Sequence, residues 1–114
     1  MDWLNRSLPP ILEVNEEISS LGANKDYNVL NIGPVNLKGI IKNYGSSINL
    51  KLHVNSEILI ENSINLNEEK INVNFNLELL FENSINGDYK LSEFRDLLEI
   101  IKGNILSEIP ISVN

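Results

Sequence analysis

Residues 48–60 read INLKLHVNSEILI, and residues 71–81 read INVNFNLELLF. In the first stretch Ile48, Leu50, Leu52, Val54, Ile58 and Ile60 take every second position, interrupted only by Ser56. Asn49, Lys51, His53, Asn55 and Glu57 fill the places between, with Leu59 the exception. In the second, Ile71, Val73, Phe75, Leu77, Leu79 and Phe81 alternate with Asn72, Asn74, Asn76 and Glu78. Side chains along a strand point to its two faces in turn, so each stretch reads as a strand with one apolar and one wet face. Two such strands in succession predict an antiparallel pair, packed on one side and solvated on the other. Leu52 and Phe75 should then face inward, and Lys51 and Asn74 should face water.

Toward the N-terminus, Asn43-Tyr44-Gly45-Ser46-Ser47 has the Asn and Gly of a hairpin connection. Residues 35–42 alternate as a strand, and residues 29–32 read as a short strand ending at Gly33-Pro34. Residues 22–28 read as a loop. Ahead of them, Pro9-Pro10, a stripe of Ile11, Val14, Ile18 and Leu21, and then Gly22 predict a short helix.

Toward the C-terminus, Asn86-Gly87-Asp88 is a turn signal. Ser92 then offers a cap to a helix with an apolar stripe of Leu91, Phe94, Leu97, Leu98, Ile101 and Ile105. Gly103-Asn104 weakens its end, and Pro110 stops it before a tail at 111–114. The expected fold is α+β, an antiparallel sheet of about four strands packed against an N-terminal and a C-terminal helix. The chain reads as a single domain, 1–114. Residues 1–28 form a helix and loop lead-in, 29–86 the antiparallel sheet, and 87–114 the C-terminal helix and tail.

A chain of 114 residues can bury a core without staples. It has no cysteine, which removes disulfides, thiolate metal sites and thiol catalysis from consideration. The N-terminus shows no basic region followed by an apolar run, and nothing approaches the ~18–20 apolar residues of a membrane span. The expected compartment is the cytoplasm, with no membrane contact. A formal net charge of −7 opposes sequence-independent binding to a polyanion and favours a basic protein partner. Lys38, Lys42 and Lys51 are the one grouping of positive charge.

No catalytic constellation emerges. His53 is the single histidine and falls on a polar strand face. Glu16-Glu17 and Glu68-Glu69 are adjacent pairs, which neither a strand nor a helix aims at one point. No phosphate-cradling glycine loop and no Gly-x-Ser-x-Gly elbow is present. The expectation is a non-catalytic binding protein with no cofactor and no metal. Glu57 to Asn65 and Glu78 to Asn86 share an amphipathic strand running into Glu-Asn-Ser-Ile-Asn, at a spacing of 21 residues. Similar strand ends drawn from a biased composition account for this.

From Gly33 the chain runs Gly33-Pro34-Val35-Asn36-Leu37-Lys38-Gly39, Asn43-Tyr44-Gly45 and the strand from Ile48. Then come Asn62-Ser63-Ile64-Asn65-Leu66, the strand through Phe75 to Phe81, Tyr89-Lys90-Leu91 and Ile109-Pro110. This order, over about residues 29–114, resembles the bacterial and plastid YceD family, associated with accumulation of large-subunit ribosomal RNA. Asn62 and Asn65 stand where that family carries the cysteines of Cys-x-x-Cys-Leu. A neutral amide oxygen in place of a thiolate loses any zinc-like role of that motif. The resemblance implies a non-catalytic ribosome-biogenesis factor contacting large-subunit rRNA or a basic ribosomal protein. It marks Asn62, Ser63, Ile64, Asn65 and Leu66 as the candidate partner contact. The alternative from the residues alone is an acidic adaptor or inhibitor that binds a protein partner through a sheet edge. A small-molecule carrier would require an apolar cavity between helix and sheet.

Overall fold

The computed structural model describes residues 1–5, 7–62 and 64–109. Ser63, Pro110 and the tail at 111–114, on which some of the expectations above fall, lie outside the described residues. The strands are β1 (Ile11–Ile18), β2 (Gly22–Asn24), β3 (Val29–Asn43), β4 (Ser47–Glu61) and β5 (Glu68–Glu82). Strands β3, β4 and β5 form an antiparallel meander, and β1 and β2 pair one after the other with the far side of β3. A 3-10 segment, Leu91–Asp96, leads into the one α-helix of the described residues, α1 (Leu97–Ser107).

The helix expected over residues 11–21 is not there, and this corrects both the expected architecture and the lead-in of residues 1–28. Residues 11–18 pair with β3 from Ile11 opposite Lys42 to Ile18 opposite Val35. The stripe of Ile11, Val14, Ile18 and Leu21 has helical spacing, but Leu12, Val14 and Ile18 also obey an alternation broken only at Glu16. Backbone pairing with β3 settles the ambiguity, since it satisfies the N–H and C=O groups of residues 11–18 against those of residues 35–42. The carboxylate of Glu16, on the inner side, accepts a hydrogen bond from Trp3 Nε1 at 3.3 Å, which removes the obstacle that made the alternation hard to see. The two prolines precede an edge strand, with the Pro10 carbonyl accepting from Asn43 N at 2.9 Å.

A second correction concerns β3, which runs through Gly33-Pro34 as one strand. Its register against β4 shifts between Val29 and Asn31 and again between Ile32 and Val35. Each irregularity inserts one extra residue, which lets Val29, Ile32 and Val35 all be buried despite their odd spacing. Gly33 has φ +140°, and a Cβ there would collide with the Ser19 carbonyl.

The inner face carries the core. Leu37, Ile41, Leu50, Val54 and Ile58 are buried together with Leu97, Ile101 and Ile105 of the helix. Leu52 is buried and Phe75 partly buried on this face, while Lys51 and Asn74 are exposed on the other. Phe81 meets Phe94 edge-on at 5.2 Å and stacks on Tyr89 at 5.6 Å, which ties the end of β5 to the helical layer. Ser92 does not cap the helix. Glu93 Oε1 accepts from Lys90 N, and Asn83 Oδ1 accepts from Leu91 N. The helix continues past Gly103, and Lys102 Nζ reaches the Ala23 carbonyl at 3.2 Å.

Candidate functional site

Asn62 and residues 64–66 form part of the connection between β4 and β5. Ile64 and Leu66 are about 70 % exposed there, at 71 % and 68 %. The Asn62 side-chain oxygen accepts from Ile64 N and Asn65 N, and the Asn65 oxygen accepts from Asn67 N. Asn62 Nδ2 donates to Glu69. These asparagine groups therefore build the turn, as short amide side chains do beside backbone N–H groups. Leu66 completes it at φ 58°, its N–H bonded to the Asn62 carbonyl.

The matching pentapeptide lies at the other end of β5. A strand of this length spans about 50 Å, so the two copies are not brought together. They also fold differently. In the second copy the asparagine oxygen reaches forward to Leu91 N, and Ser84 Oγ bonds the Glu82 carboxylate at 2.6 Å.

What the fold does gather is the outer face of the sheet. Glu17, Asn36, Asn55 and Asn74 stand opposite one another in one row across four strands. The next row is Asn15, Lys38, His53 and Asn76, with His53 Nδ1 and Asn76 Oδ1 at 2.8 Å. The row after that is Glu13, Ile40, Lys51 and Glu78, closed by a Lys51–Glu78 ion pair at 3.5 Å. Lys51 thus sits opposite Ile40, midway between Lys38 and Lys42 on the neighbouring strand. The three lysines share one face, beside exposed Tyr44 and a shallow depression floored by Gly39 and Asn49. Among the described residues, no three His, Cys, Asp or Glu side chains converge as metal ligands. The adjacent pairs Glu16-Glu17 and Glu68-Glu69 split between the two faces, each residue paired to a different register position.

The free edge of β5 is a feature that reading the strands one at a time misses. Leu80 N donates to Asp88 Oδ2 at 2.8 Å, and the Leu80 carbonyl accepts from Asp88 N. Glu82 N donates to the Tyr89 carbonyl. Leu80 and Glu82 therefore turn their backbone groups away from β4. Since the β4–β5 register is unbroken, Lys70, Asn72, Asn74, Asn76 and Glu78 do the same. From residue 68 to residue 79 no strand among the described residues lies beside β5 on that side. The signal available in the sequence was a run of fifteen residues with neither Pro nor Gly.

No helix among the described residues is long and apolar enough to cross a membrane. No family model, curated protein or solved structure matches the chain.

Proposed function

We propose that the protein is a non-catalytic binding protein that takes its partner as an added strand along β5. The observation that carries this is the row of outward backbone groups from Lys70 to Glu78, ended by the Asp88 and Tyr89 contacts at Leu80. A long straight edge without Pro, Gly or bulge is a template for another strand. Main-chain hydrogen bonds supply the affinity in such an arrangement, and alternate side chains the specificity. The test is site-specific photo-crosslinking in native lysate, with the probe at Asn72 on β5 or at Asn15 on β1. Adducts from Asn72 alone are expected. Equal yields at the two positions, or none at either, would remove the reading.

The resemblance to YceD supports a second reading, a ribosome-biogenesis factor contacting large-subunit rRNA or a basic ribosomal protein. One structural observation favours the RNA arm: Lys38, Lys42 and Lys51 lie on one face of an acidic chain, with Lys51 paired there to Glu78. Three phosphate contacts would make log K fall with log salt at a slope of about −2 to −3. Sedimentation of lysate with and without nuclease tests it, alongside a variant carrying Glu at all three lysines. Absence from ribosomal particles in the untreated lysate would dismiss this second reading.

A further inference from the structure

We infer that the strand added to β5 is β5 of a second copy of this chain, paired antiparallel about a two-fold axis at Asn74. The inference rests on the edge reading above and goes beyond it by naming the occupant. An isologous interface must satisfy itself, residue i meeting j while j meets i. Centred on Asn74, the register sets Asn72 against Asn76 of the second copy and Lys70 against Glu78 of the second copy. All of these residues turn their N–H and C=O groups outward. They would exchange paired main-chain hydrogen bonds, as the directly bonded positions of an antiparallel ladder do.

Other registers are worse. Centring on Val73 sets Glu68 against Glu78, two like charges directly opposite. Centring on Phe75 sets Lys70 against Leu80, whose backbone groups Asp88 already holds. Centring on Asn72 leaves the end of the open stretch unpaired. The favoured register uses the open stretch almost fully and stops where Asp88 and Tyr89 close it.

Both faces of the sheet would continue across the axis. On the outer face, the Asn36, Asn55 and Asn74 row would meet its own copy. On the inner face, Val73 would stand opposite Phe75 of the second copy, and Ile71 opposite Leu77. Ile71 and Phe75 are only partly buried in the single chain, so added neighbours there cover apolar surface.

The experiment is sedimentation equilibrium on the full chain over a wide concentration range, with amide exchange on the same samples. Wild type should be a dimer that dissociates on dilution, with the amides of residues 72, 74 and 76 slowing as the dimer forms. Asn74→Pro removes an outward N–H without touching the β4 ladder, so it should remain folded by circular dichroism and be monomeric. Lys70→Glu and Glu78→Lys each set like charges opposite at two symmetric places and should weaken the dimer on the order of tenfold. The double exchange restores opposite charges and should recover most of that loss, which keeps the test available even if the proline variant fails to fold. A wild-type chain that stays monomeric, or a dimer indifferent to these changes, overturns the inference. A monomer that still crosslinks from Asn72 to another protein overturns the second copy alone, whereas loss of the crosslink as well removes the edge reading.

Discussion

One edge of the sheet is made of two short strands, β1 and β2, parted at residues 19–21 and preceded by Pro9-Pro10; the other is the fifteen residues of β5. On the β1 side exposed Glu13 and Glu17 alternate with buried or partly buried residues, and the N-terminal turn reaches over through Trp3. Short length, proline and charge are the devices that keep a strand edge from pairing. The β5 side has charge only toward its ends, at Glu68, Glu69, Lys70, Glu78 and Glu82, with seven uncharged residues between Lys70 and Glu78. The difference teaches that exposure of an edge is not the deciding quantity. Both are exposed, but one is broken and charged while the other offers a continuous ladder.

The comparison can be broken at the closed end of β5. Phe81 is fully buried between Tyr89 and Phe94, whereas Phe75 lies on the open stretch. Phe81→Ala should cost about 3–5 kcal/mol, and Phe75→Ala clearly less. Urea midpoints measured on dilute protein decide it, and equal losses would mean that β5 is held evenly along its length.

A smaller effect is expected where β3 lies between β1 and β4. A Cβ on Gly39 would overlap the Lys51 carbonyl and the Leu52 backbone. Gly39→Ala should therefore cost about 1–3 kcal/mol through overpacking. A thermal melt matching that of wild type would show that the strands separate more freely there than the packing implies.

Asp88→Ala sharpens the contrast within β5 itself. It removes the acceptor of the Leu80 N–H and should cost about 0.5–1.5 kcal/mol. In the Asn74→Pro background the Leu80 amide should then exchange as fast as the Asn76 amide, while with Asp88 present it should exchange more slowly. The smallest effect belongs to the outer face away from both edges. The Lys51–Glu78 pair is about two-thirds exposed, at 68 % and 69 %. Lys51→Ala should leave the denaturation midpoint within about ±0.5 kcal/mol of wild type.

The alternation in β4 and β5 was legible because each side chain has only two directions to choose from, and every apolar residue at even spacing votes for the same one. The stripe in α1 was legible for the same reason at its own period. Residues 11–18 were not, since Val14 and Ile18 satisfy both periods, Ile11 fits only the helical one and Glu16 argues against the correct one. The two copies of Glu-Asn-Ser-Ile-Asn are similar strand ends only up to the strand itself. Past it, one copy closes on its own amides and the other reaches to Leu91.

By itself the sequence determined that β4 and β5 pair antiparallel with one wet face, that a helix follows, and that no thiol chemistry is available. These are consequences of local geometry and of residue types present or missing. Only the tertiary structure decided that residues 11–18 are a strand, that Asn36, Asn55 and Asn74 stand in one row, and which strand is left with an open edge. Each of those depends on which backbone groups find partners far along the chain, a pairing that no local pattern specifies.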